Sequence, residues 1–122
     1  MFEKIVIKLE TRQPEIKLIS VIRKITGMSI SKIKYLITNQ KPIFEGVLFY
    51  NDHGEKEKVI RGLINQLSSL NVQLKIYNML ESENLDEIFD ISQYEVKNET
   101  LLNYLDENKN DLERYYGELQ GE

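Results

Sequence analysis

Residues 19–40, ISVIRKITGMSISKIKYLITNQ, decide how this chain folds. Two short runs with apolar residues at helical spacing meet at Thr26-Gly27-Met28-Ser29. Gly27 is suited to end the first helix in the left-handed region, and Ser29 to cap the second. Upstream, TRQPEIKLISVIRKITG reads as one helix, with Thr11 as a candidate N-cap, Pro14 tolerated in the first turn and Glu15 beside the positive end of the dipole. The second helix, ISKIKYLITNQ, is expected to stop before Pro42, because the residue preceding proline is pushed out of the helical region.

Strands flank this helical pair. In EKIVIKLE, Ile5, Ile7 and Leu9 alternate with Lys4, Val6, Lys8 and Glu10, the pattern of a half-buried strand. PIFEGVLFY is apolar and aromatic enough for a second strand, with Gly46 marking a bulge or a close backbone approach. After a turn at NDHGE, a third helix is expected from Glu55 to Ser69, with Val59, Ile60, Leu63, Ile64 and Leu67 on its apolar face. NVQLKIY supplies a third strand. The order β-α-α-β-α-β predicts an α+β body over residues 1–79, a three-stranded antiparallel sheet covered by three helices.

Residues 80–122 differ in character and are expected to form an acidic helical C-terminal extension. Leu101, Leu105, Leu112, Tyr115 and Leu119 fall on one helical stripe. A lone helix of this length is marginal in water, so the stripe needs cover from the body, a second copy of the chain or a partner. Charge divides at the same place. The net charge of −4 is the sum of a basic body, with 13 Lys and Arg against 7 Asp and Glu in residues 1–80, and an acidic remainder with 3 against 13. Such asymmetry steers encounters with charged surfaces, unless the extension folds over its own body.

Composition narrows the chemistry. There is no cysteine, hence no disulfide framework and no thiolate metal site, which fits a cytoplasmic protein. Glu3, Lys4 and Lys8 interrupt the apolar run a signal peptide needs, and no run approaches membrane-spanning length. His53, the single histidine, sits in a turn-like stretch with only Asp52 and Glu55 near it, too few ligands for a metal. No serine has a nucleophile-elbow context, and the paired acids Asp86/Glu87 and Asp106/Glu107 lack the cleft that would shift their acidities. Lysines 4, 8, 17, 24, 32 and 34 could meet nucleic acid, but the acidic extension would repel phosphate and no nucleic-acid motif is present. No enzyme, cofactor or metal is expected.

The first helix holds more isoleucine than one buried stripe requires. With roughly 100° per residue, Leu18, Val21, Ile22 and Ile25 form a core stripe, while Ile16, Ile19 and Arg23 fall roughly 100–160° from its centre. Two isoleucines flanking an arginine on an outer face suggest a contact patch, if they are not buried beneath the extension.

Residues 3–77 resemble the C-terminal domain of the bacterial large-subunit ribosomal stalk protein. The resemblance is carried by KIVIKL, by ISVIRKITGMSISKIKYLI with its Arg-x-x-Thr-Gly helix end, by EGV, the third helix and the closing VQLKIY. It implies the same α+β fold, no catalytic residues, and a surface for translational GTPase factors on the first two helices. It places Ile16, Ile19, Arg23 and Lys34 at contact positions. Ser20 stands where that family has a contact lysine, Glu15 replaces a basic residue, and Ser29 and Ser31 replace a glycine and a lysine. The family's dimerisation helices and hinge are absent from this sequence.

Two expectations about function follow. In the first, the chain is a non-catalytic protein-binding module whose face at Ile16, Ile19, Arg23 and Lys34 meets an elongation factor or another translation component. In the second, it is an immunity protein or antitoxin whose acidic extension masks a basic nuclease toxin. A homodimer through the isoleucine face is a further expectation.

Overall fold

In the computed structural model, residues 4–47, 53–80, 82–87 and 90–107 are described. They form an α+β fold in the order β-α-α-β-α-β-β-α, with a four-stranded antiparallel sheet and four helices. The elements are β1 (Lys4–Leu9), α1 (Ile16–Thr26), α2 (Ile30–Thr38), β2 (Phe44–Val47), α3 (His53–Ser69), β3 (Leu74–Met79), β4 (Glu95–Val96) and α4, described over residues 98–107. The strands lie in the order β2-β1-β3-β4. The sequence reading placed three strands here; the fourth is the two-residue β4, which pairs Val96 with Ile76 and Glu95 with Tyr77.

The hairpin signals act as expected. Gly27 has φ 77° and its N–H donates to Arg23 O at 2.8 Å, closing α1; Ser29 Oγ accepts from Lys32 N at 3.2 Å, opening α2. The start of α1 differs. It begins at Ile16, with Glu15 extended and no side-chain cap, because Gln13 precedes a proline and is disfavoured from helical geometry. Thr11 instead accepts from Gln13 N at 3.1 Å, and its carbonyl takes a bond from Gln40 Nε2 at 2.9 Å, tying the segment to the end of α2. Gly46 is a close approach and not a bulge: it pairs in register with Ile5, and an added Cβ would lie 2.9 Å from Cζ of Phe44. The third helix starts at His53, two residues before Glu55, and the His53 side chain lies outside the described residues, as do 48–50 of the second predicted strand.

The core sits between the sheet and the helices. Ile5, Ile7 and Leu9 of β1 meet Leu18, Ile19 and Ile22 of α1, Ile33 and Ile37 of α2, and Ile60, Leu63, Ile64 and Leu67 of α3 in one cluster. Leu101 and Leu105 of α4 belong to it and are fully buried. Complete burial of each leucine contributes about 2 kcal/mol, so α4 is anchored in the core. The rest of the predicted stripe, Leu112, Tyr115 and Leu119, lies outside the described residues.

The opposite face of the sheet is covered too. Lys4 and Val6 are buried, so β1 is not the half-exposed strand its alternation predicted. Val6, Tyr77 and Met79 form a second small core against which Leu85, Ile91 and Tyr94 pack. Residues 82–87 and 90–94, with short 3-10 turns at Leu85–Glu87 and Ile91–Tyr94, therefore strap this face before β4. Glu83 fixes the strap: its carboxylate accepts from Leu80 N at 2.9 Å and from the Tyr94 hydroxyl at 3.0 Å, and its carbonyl accepts from the Lys4 ammonium.

Candidate functional site

The first two helices present the charge that the fold leaves outermost. Between residues 16 and 44 there are six Lys and Arg and no acid; the nearest acids in sequence are Glu15 and Glu45. Lys17, Arg23 and Lys24 on α1 and Lys32 and Lys34 on α2 are exposed. Among the described residues, no carboxylate forms an ion pair with any of these five. Arg23 and Lys24 stand in the last turn of α1, where cations also favour the negative end of the helix dipole. That local stabilisation accounts for two of the five.

Apolar surface accompanies the charge. Ile16 is 87% exposed at the start of α1; Ile30 and Tyr35 on α2 are 44% and 57% exposed. Ile16 and Arg23, seven residues apart, share one flank of α1 at a separation of about 10 Å along its axis. Lys34 is exposed on α2, which packs beside α1.

Ile19 does not join them. At 4% exposure it belongs to the main core, which corrects its expected outward position. The helical wheel assigned α1 a stripe centred between Val21 and Ile22, yet Val21 and Ile25 are only half-buried. Ile25 rests against Gly62 of α3, while α2 covers the other flank, so the buried arc turns toward Leu18, Ile19 and Ile22. Periodicity alone cannot locate the neighbours of a helix packed on two sides. Ile30 and Tyr35 were missed by the same reading; Tyr35 lies roughly 160° from Ile33 and Ile37 on α2, which was a signal, whereas Ile30 shares the flank of Ile37 and is exposed as the first residue of the helix.

Elsewhere on the body, Arg61, Lys75 and Lys4 meet acids. Arg61 of α3 bonds Glu57 at 2.8 Å and Asp106 of α4 at 2.6 Å. Partial burial alone would lower the Arg61 guanidinium, but the bonds to Glu57 and Asp106 outweigh it and hold it above its ordinary value. Lys75 of β3 lies 3.0 Å from Glu95 of β4 and 3.2 Å from Glu10, and those hydrogen bonds, Glu95 first, raise it above the usual lysine value. Lys4 reaches Glu45 at 3.1 Å.

Among the described residues there is no group of three or more His, Cys, Asp or Glu that could hold a metal ion, and no helix is long and apolar enough to cross a membrane. An open groove of about 610 Å³ lies between α2 and β2, lined by Lys32, Tyr35, Leu36, Phe44 and Glu45 among others. No family model, no curated protein and no solved structure matches this chain.

Proposed function

We propose that this chain is a non-catalytic protein-binding module that engages its partner through the outer face of α1 and α2. The observation that carries the reading is the acid-free helix pair, with five exposed cations that no described carboxylate neutralises and with Ile16, Ile30 and Tyr35 exposed among them. Arg23 and Lys34 would pair with carboxylates of the partner, and Ile16 would supply the desolvated contact. Ile19 acts from below by fixing α1 in place. The resemblance to the ribosomal stalk domain favours a translational GTPase factor or another component of translation as that partner.

The toxin-neutralising alternative rests on the acidic extension. Two of its acids, Glu95 and Asp106, are bound to Lys75 and Arg61 of the same chain, and Leu101 and Leu105 are buried in its core, which favours the first reading.

The test is capture of partners from the native cell by the tagged chain and by an Ile16→Asp/Arg23→Glu variant, with bound proteins identified by mass spectrometry. Translation factors held by the original and lost by the variant support the proposal. A basic toxin-like protein held equally by both overturns it.

A further inference from the structure

Among the described residues β2 pairs only with β1, so its outer edge has no strand beside it. The groove of about 610 Å³ opens along that edge. Phe44 and Glu45 both line it, and consecutive strand residues point to opposite faces, so the groove follows the edge of the sheet and not one face of it. Its other wall is the flank of α2 that carries Lys32, Tyr35 and Leu36, and Met28 adds to the apolar lining.

We infer that this groove takes an extended acidic peptide segment of a partner protein, added to the sheet beside β2. Three properties select that occupant. An edge strand offers N–H and C=O groups that an extended chain can bond, whereas a helix arrives with its own backbone groups already paired. The apolar lining from Met28, Leu36 and Phe44 accepts alternate side chains of such a strand. The charge on the helical wall is positive and available, since Lys32 is exposed and has no carboxylate partner among the described residues. Glu45 does not cancel it, because its carboxylate is held by Lys4 at 3.1 Å.

The inference rests on the reading of the chain as a protein-binding module and names the chemistry of the bound segment. The groove adjoins the α1–α2 face through Tyr35, which is 57% exposed and borders the groove.

The test is selection of binders from a random short-peptide library on the immobilised full chain, followed by titration of the enriched peptide into isotope-labelled chain. Enriched sequences should be acidic with apolar residues at alternate positions, and the amides of Phe44–Val47 should shift on binding. Lys32→Glu should weaken the peptide about fivefold, while Lys58→Glu, an equal charge change on α3, should leave it within about twofold. Enriched peptides without net negative charge, no enrichment, or binding that leaves the β2 amides unmoved overturn the inference. A peptide weakened by Arg23→Glu but not by Lys32→Glu overturns the groove while leaving the outer face standing. Binding at β2 beside a natural partner indifferent to Arg23→Glu would remove the outer face and keep the groove.

Discussion

Two regions of this small body carry positive charge differently. Around α3, β3 and α4, Arg61 meets Glu57 and Asp106 and Lys75 meets Glu95 and Glu10, while Lys58 of α3 is exposed with no carboxylate partner among the described residues. On α1 and α2, Lys17, Arg23, Lys24, Lys32 and Lys34 meet none among the described residues. Residues beyond Leu80 create much of that difference. The described ones among them strap the outer face of the sheet, add β4 and α4, and bring Glu95 to Lys75 and Asp106 to Arg61. Glu83, Glu95 and Asp106 of the acidic part thus serve as structure, and the α1–α2 side is left basic.

The comparison can be broken most forcefully at Ile16 and Ile19. Ile19→Asp places a charge in the core and should cost more than about 3 kcal/mol, enough to unfold a marginal domain, while Ile16→Asp should change stability by less than about 0.5 kcal/mol. Urea titration followed by circular dichroism separates the two, and equal effects would mean that the orientation of α1 is wrong. Leu105→Ala should cost about 3 kcal/mol, as for any fully buried leucine, and a negligible change would detach α4 from the core. Asp106→Ala should cost under about 1 kcal/mol, because the pair with Arg61 is mostly exposed.

The smallest expected effect is on the strap, and it depends on pH. Burial, then the Glu95 carboxylate, raises the Tyr77 phenol, and the hydrogen bond to Glu83 raises that of Tyr94. A raised pKa means that the protonated phenol is favoured in the folded state. The stability these groups contribute is complete below the ordinary tyrosine value of about 10 and is lost as the pH rises through their folded values. Hydrogen exchange at residues 82–94 should therefore accelerate in alkali beyond the intrinsic pH effect. Tyr94→Phe should remove the part due to Glu83, and an unchanged profile in that variant would discount the bond.

The sequence made the hairpin legible because its punctuation is local. Gly27 and Ser29 act within one turn of themselves, and apolar alternation found β1 and β3. What it concealed depends on neighbours distant in the chain. The two residues of β4 are too short to show a period, and they pair only because the strap returns the chain to β3. Val6 looked solvent-facing until Leu85, Ile91 and Tyr94 covered it, and Lys4 until its ammonium met the Glu83 carbonyl and Glu45. Ile19 looked outward because a wheel has no knowledge of the elements packed around the helix. Of the four expected contact positions, Ile16, Arg23 and Lys34 are exposed, since among the described residues no second element covers them.

The most direct test of this division is a crossed one: melting temperature and partner capture for two doubly reversed chains. Arg23→Glu/Lys34→Glu reverses two cations of the α1–α2 face, and Arg61→Glu/Lys75→Glu two cations that meet acids. The first should keep its melting temperature and lose the partner; the second should melt lower and keep the partner. Loss of the partner by the second alone, at an undiminished melting temperature, would contradict the account.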